Sequence, residues 1–161
     1  MNARRLTISA AVGTALASLS FGAAAQTITL KLHHLLPPQA PAHSQMLAPW
    51  AADVEKAAGG KVKIELYPAM ALGGKPPELI NQVRDGVVDI VWTVNGYTPN
   101  LFPRSEVFEL PFIHTNNATA TNLAMRDMFL SGEIAEDFKD VKVMFLHVHA
   151  GQGIQMADKE V

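Results

Sequence analysis

From Thr27 to Leu35 (TITLKLHHL) apolar and polar side chains alternate, with Ile28, Leu30 and Leu32 on one face, the two-residue period of a β-strand. Pro37, Pro38 and Pro41 end that run. The spacing of Met46, Leu47, Trp50 and Val54 then predicts a helix from about His43 to Ala58. Gly59-Gly60 terminates the helix, because glycine takes the left-handed conformation at little cost. Lys61 to Tyr67 (KVKIELY) alternates again: Val62, Ile64 and Leu66 face in, while Lys63 and Glu65 face out. A Gly73-Gly74 loop leads through Pro76-Pro77 into a helix from Glu78 to Asp85, closed by Gly86. Val87 to Val94 (VVDIVWTV) is nearly all apolar, the pattern of a strand buried on both faces of a parallel sheet.

This β-α-β-α-β order with short Gly/Pro connections predicts an α/β fold with right-handed crossovers. The pattern is irregular after Val94 until a helix near Asn117 to Leu130, with Asn116 or Asn117 as its cap. Ser131-Gly132 breaks it, a short acidic helix follows, and Val141 to Val148 (VKVMFLHV) predicts a fourth strand. A fifth strand begins near Gly151, and the sequence stops at Val161 on a polar turn, so a fragment of a larger protein is expected.

The first 25 residues set the compartment. Arg4 and Arg5 make a short positive region, Leu6 to Phe21 is uncharged, and Ala23-Ala24-Ala25 has the small side chains a signal peptidase accepts. The apolar part is too short and too rich in Ala, Ser and Gly to anchor in a hydrocarbon core about 30 Å thick. Cleavage is expected after Ala25, which releases an exported chain starting at Gln26, with no membrane insertion thereafter. The competing reading keeps this segment as a weakly apolar N-terminal helix.

Charge and cysteine content remove several classes of function. Without the leader the formal charge falls from −2 to −4, so no basic field exists for nucleic acid or an anionic membrane. Zero Cys excludes a disulfide framework, a lipid-bearing cysteine and thiolate metal sites. The seven Met residues are read as core filler.

No G-x-S-x-G, Walker loop, G-x-G-x-x-G or H-E-x-x-H occurs, and no nucleophile stands at a telling distance from a base. Neighbours on a strand, His33 and His34 point to opposite faces and do not share one ion. His147 and His149 share a face that His43 can approach, yet no Asp, Glu or Cys sits at ligand spacing, so satisfied or pocket-lining histidines are favoured over a metal centre. No cofactor is implied.

A binding crevice is the remaining reading. In open α/β sheets ligands sit beyond the carboxyl ends of the strands, here His34-Leu35-Leu36, Met70 to Gly74, and Val94-Asn95-Gly96-Tyr97. Helix starts at His43-Ser44 and Pro76-Pro77 are expected to favour an anion. The candidate ligand contacts are His34, Leu35, Gly74, Trp92, Val94, Asn95, Tyr97, His149 and Gln152. Trp92 and Tyr97 offer aromatic walls and Asn95 a hydrogen bond, with core packing the competing role for Trp92. The run Phe108-Glu109-Leu110-Pro111-Phe112 is read as hinge or core rather than ligand contact.

Several short motifs recur in order: Gly60-Lys61-Val62-Lys63-Ile64, Leu66-Tyr67-Pro68, Leu72-Gly73-Gly74, Gln82 to Gly86 with Val88-Asp89-Ile90, then Phe102-Pro103 and Phe108 to Phe112. In that order and spacing, behind a signal peptide, the chain resembles the N-terminal half of an extracytoplasmic solute-binding protein of the tripartite ATP-independent periplasmic (TRAP) transporters, C4-dicarboxylate type. The resemblance implies a periplasmic-binding-protein-like fold of two α/β lobes joined by hinge strands. It assigns residues 26–148 to the first lobe and 149–161 to the hinge or the start of the second. It also implies closure on a small organic acid and delivery to TRAP permease subunits in the membrane, without catalysis.

In such proteins an arginine shortly beyond the position matching Val161 forks onto the ligand carboxylate. Sialic-acid binders carry an acidic residue where Val94 stands and an arginine near Gly153; neither is found here. An apolar Val94 beside Trp92 and Tyr97 suits a hydroxy, keto or aromatic acid. The alternatives are a solute-binding protein of an ABC importer and, from a different class, a secreted hydrolase or metal-dependent enzyme.

Overall fold

β1 (Ile28–His34) is the middle strand of a parallel sheet, with β2 (Val62–Tyr67) on one side and β3 (Ile90–Trp92) on the other. The computed structural model describes residues 26–110, 112–113 and 117–148. The leader with its cleavage point at Ala25 and the expected hinge at 149–161 lie outside them. Ile28 pairs with Val62 and Leu32 with Leu66, while Leu32 also faces Ile90 and His34 faces Trp92.

Between the strands run two helical connections. A π-helical stretch (Ala42–Leu47) feeds α1 (Ala48–Ala57), and Gly59 and Gly60, at φ 57° and 81°, turn the chain into β2. A 3₁₀ turn (Pro76–Glu78) feeds α2 (Leu79–Arg84), and Gly86 at φ 71° ends it. Beyond β3 lies α3 (Ala118–Ser131), whose cap Asn117 accepts the Ala120 N–H at 3.1 Å; the acidic stretch after it is a 3₁₀ turn, Ala135–Phe138.

The period-2 faces explain the two cores. Leu32 and Ile64 pack on Leu47 and Ala51 of the first helical connection, with Trp50, Val54 and Trp92 around them. A separate cluster joins Ile80 of α2 to Met125 of α3 and to Phe102, Phe108, Ile134 and Phe138. Phe102 and Phe138 stack at 5.0 Å there. Met125 is core, as expected of the methionines, but Met144 is largely exposed.

Two strand expectations need correction. The run 87–94 contributes only three ladder residues. Asp89 departs from the apolar pattern: its carboxylate accepts the Lys31 N–H at 2.8 Å, and its N–H donates to Lys31 O at 3.2 Å. Val87 is exposed, and the sheet places no described strand beyond β3. The run 141–148 slips its alternation by one residue: Val141, Val143, Leu146 and Val148 pack on the second core, Met144 and Phe145 are both exposed, and the run forms no ladder. A gap separates it from β3.

Candidate functional site

That gap is an open cavity of about 1060 Å³, walled by β3 and its continuation to Asn95 on one side and by residues 140–148 on the other. Its lining is mixed: Trp92, Val94, Asn95, Glu109, Phe145 and His147 reach it beside the aromatic residues of the second core. Trp92 is part of this lining. Its indole N–H donates to His147 Nε2 at 2.9 Å, with the two ring planes within 15° and centroids 5.8 Å apart. Since Nε2 accepts, the neutral His147 ring carries its proton on Nδ1. Phe145 stacks on the same imidazole at 5.8 Å.

The edge of Trp92 meets His34 at a centroid distance of 6.5 Å. His34 is fully buried, and its partners determine its tautomer. The Leu36 N–H donates to His34 Nδ1 at 3.2 Å, so Nε2 holds the proton and donates to His43 Nδ1 at 2.8 Å. Burial, followed by the neighbouring His43 and His33, pushes the His34 pKa down to about 4. His33, on the opposite face as its strand position requires, accepts the Leu72 N–H at Nε2 (3.3 Å) and donates from Nδ1 to Gln82 Oε1 at 2.7 Å. Both histidines are satisfied by the fold. The pairing of His34 with His43, rather than with His147, was not among the expectations.

The loop at 94–97 is a 3₁₀ turn, Asn95–Tyr97, in which Asn95 O accepts the N–H and hydroxyl of Thr98, each at 3.0 Å. The Asn95 side-chain amide is half-buried and makes no hydrogen bond among the described residues. Gly96 is in the one position where a Cβ would collide with the Glu109 carboxylate, so this carboxylate lies over the turn. Tyr97 is 43% exposed and stands outside the cavity lining. Leu35 is half-buried at the carboxyl end of β1. Gly74, at φ 85°, is covered by the side chains of Glu78 and Gln82. His149 and Gln152 lie outside the described residues. In the run 108–112, Phe108 is core, as expected, whereas Phe112 is fully exposed.

Neither helix start offers the free donors expected of an anion site. The N–H groups of His43 and Ser44 both donate to Ala40 O, at 2.9 and 3.0 Å. At the second start Pro76 and Pro77 have no N–H, and the Glu78 carboxylate accepts the Lys75 N–H at 3.2 Å. A negative charge already occupies that end. Among the described residues no group of His, Asp and Glu is arranged to hold a metal ion, and no helix is long and apolar enough to cross a membrane.

Residues 32–158 match the DctP family, bacterial extracellular solute-binding protein family 7. The chain belongs to that family. Its fold is similar to a marine metagenome TRAP solute-binding protein specific for aromatic acid ligands, solved with 3-hydroxybenzoate: TM-score 0.73 and 47% identity, over 78% of this chain and 38% of that one. A TRAP solute-binding protein from Rhodoferax ferrireducens T118 with copurified benzoate matches with TM-score 0.66 and 45% identity, over 77% of this chain and 38% of that one. In sequence the chain is 28% identical to the outer membrane transporter protein TsaT of Comamonas testosteroni, over 92% of this chain and 42% of that protein.

This DctP chain thus spans about two-fifths of the length of these relatives, one lobe of the periplasmic-binding fold. In the DctP lobe, Trp92, Val94 and Asn95 are brought together along one wall, and His34 stands directly behind Trp92.

Proposed function

We propose that this DctP chain is the first lobe of a TRAP extracytoplasmic solute receptor. It binds a small organic acid, delivers it to the membrane permease subunits, and carries out no reaction on it. The mature chain starts at Gln26 in the periplasm, and a second lobe closes over the crevice and supplies the arginine for the carboxylate. Within the organic acids we assign an aromatic carboxylate. The wall formed by Trp92, with Val94 and the unpartnered Asn95 amide beside it, carries this assignment: an aromatic face, an apolar side chain and one polar group suit a ring better than a flexible dicarboxylate. The benzoate and 3-hydroxybenzoate complexes of the two structural relatives support it. The DctP match and these TRAP neighbours favour this reading over an ABC-importer receptor or a secreted hydrolase.

The test is calorimetry on the receptor completed by its second lobe, with benzoate, 3-hydroxybenzoate and succinate as ligands. The aromatic acids are expected to bind at least tenfold more tightly than succinate. Equal or tighter binding of succinate would overturn the aromatic assignment, and no binding of any carboxylate would overturn the receptor reading.

A further inference from the structure

Several polar groups in the lining of the cavity between β3 and residues 140–148 are already committed. The Trp92 indole N–H is donated to His147, the Asp89 carboxylate accepts the Lys31 N–H, and Asp140 pairs with Arg84 at 2.6 Å. The Ser105 hydroxyl is shared between Phe102 O and the Asp137 carboxylate. Asn95 and Glu109, at the carboxyl end of β3, are different. Both side chains line the cavity, and among the described residues neither makes a hydrogen bond or an ion pair, with each other or with any other group.

The fold positions both residues without using their side chains. Asn95 O accepts the N–H and hydroxyl of Thr98, each at 3.0 Å, and the Tyr97 N–H donates to Val94 O at 3.1 Å, so the turn closes on backbone acceptors. Glu109 ends a 3₁₀ stretch, Ser105–Glu109, whose start is fastened by Asp137 and whose Phe108 is in the second core. In that stretch Glu106 is spent on the Asn100 N–H at 2.8 Å, and Glu109 is not. Gly96 lets the carboxylate approach Asn95: a Cβ on Gly96 would collide with Glu109 Oε2 and lie 3.0 Å from Oε1. Gly96 is not among the glycines at positive φ, so this close approach, rather than the backbone, is what a side chain there would disturb.

An amide and a carboxylate on one turn suit a hydroxyl. A hydroxyl donates its hydrogen to the carboxylate and accepts an N–H from the amide. A second carboxylate accepts from the amide but meets the Glu109 charge, and a bare ring edge satisfies neither group. We propose that Asn95 and Glu109 form a hydroxyl-reading subsite at the carboxyl end of β3, which selects hydroxylated aromatic acids and turns their carboxylate away from this wall. The proposal rests on the receptor reading above and adds to it the ring substituent and the direction in which the ligand lies. When the crevice closes, an acid without the hydroxyl leaves the carboxylate and the amide desolvated and unpaired, and that penalty is the source of the selectivity. Lys142 lines the opposite wall and forms no ion pair with Glu109, so the carboxylate charge is not neutralised there. Thr93 also lines the cavity, but a neutral hydroxyl receives a donor or an acceptor alike and does not sort ligands by charge.

The experiment is calorimetry on the receptor completed by its second lobe, with benzoate, 3- and 4-hydroxybenzoate, 3-fluorobenzoate and isophthalate as probes. The tighter of the two hydroxybenzoates is expected to bind about tenfold or more better than benzoate. 3-Fluorobenzoate, which has no hydrogen to donate, is expected to match benzoate, and isophthalate to bind more weakly than benzoate. Asn95→Ala and Glu109→Ala are each expected to shrink the hydroxyl preference severalfold while benzoate affinity stays the same, a split that a damaged fold does not produce. Glu109→Gln keeps the size and removes the charge, and is expected to recover isophthalate binding. Gly96→Ala pushes the flexible Glu109 side chain off the turn, so it is expected to lower the hydroxyl preference with little change in melting temperature. A wild-type receptor that binds benzoate as tightly as both hydroxybenzoates would overturn the subsite and leave the receptor reading standing. So would a preference that survives both Asn95→Ala and Glu109→Ala. No binding of any of these acids would overturn the receptor reading and the subsite with it.

Discussion

Trp92 and His147, 55 residues apart in the chain, are joined by a 2.9 Å hydrogen bond that ties the end of β3 to the extended segment 141–148. That segment has no ladder of its own to hold it, so this bond, the Val148 N–H donated to Asn122 Oδ1 and the packing of Val141, Val143, Leu146 and Val148 position it. Trp92→Phe keeps an aromatic ring and deletes the donor. It is expected to lower stability by about 0.5–1.5 kcal/mol and to accelerate hydrogen exchange in 141–148 more than in β1. A urea melt combined with exchange measurements checks both, and uniform acceleration across the sheet would remove the tether from the account.

The buried His34 makes stability depend on pH. Its pKa falls from 6.5 in the unfolded chain to about 4 in the fold, so between these values the unfolded state binds more protons. Stability is therefore full above about pH 6.5, declines as pH falls towards 4 and levels off below, a loss on the order of 3 kcal/mol from this group. His34→Gln is expected to flatten that part of a denaturation-versus-pH profile, at the expense of lower stability at pH 7.

Asp137 is a structural carboxylate with no obvious mark in the sequence. Its Oδ2 accepts the N–H groups of Arg104 and Ser105, both at 2.9 Å, and the buried Ser105 hydroxyl at 3.1 Å. Asp137→Ala leaves the two backbone donors without their partner, while the Ser105 hydroxyl still has Phe102 O at 3.2 Å, and is expected to cost about 2 kcal/mol. A drop in thermal midpoint larger than that of the exposed control Asp127→Ala is the measurement.

Tyr97 separates binding from folding. It is 43% exposed, on a turn at the carboxyl end of β3, so Tyr97→Ala is expected to change the melting temperature little. Because it stands outside the cavity lining, in the completed receptor it is expected to weaken binding of 3-hydroxybenzoate by less than about 1 kcal/mol. Preserved affinity with a large loss of stability would place Tyr97 among the packing residues.

Gly74 carries two independent demands. Its φ of 85° disfavours any side chain, and an added Cβ would lie 2.8 Å from both Gln82 Nε2 and Glu78 Oε2. Gly74→Ala is expected to cost about 1–2 kcal/mol. Because Gln82 also accepts from His33, the substitution is expected to perturb the His33 ring resonances, whereas Gly60→Ala, with φ 81° and open space around its Cβ position, should not.

The alternating runs 27–35 and 61–67, the glycine stops at 59–60 and 86, and the Asn117 cap were legible because each depends on residues close in the chain. A period of two sorts β1 and β2 onto inner and outer faces, and a left-handed turn calls for glycine wherever it occurs. Family membership was legible for the same reason, as short motifs in a recognisable order. Even the His34–His43 pair had a trace in the pattern. His34 shares the β1 face of Leu32, and His43 lies four and seven residues before Leu47 and Trp50 on the stripe that covers this face.

What only the tertiary structure decided is where an apolar alternation becomes a ladder and which polar groups are already taken. Val141 to Val148 has strand character, but a strand needs a neighbour at hydrogen-bonding distance, and a cavity of about 1060 Å³ lies there instead. The helix starts looked open to an anion until Ala40 O and the Glu78 carboxylate were seen at their N–H groups. Asp137, Glu109 and the His34–His43 line act on backbone and side chains distant in sequence or across a turn. Local periodicity determines which face a residue takes; the partner it meets there is set by how the elements pack.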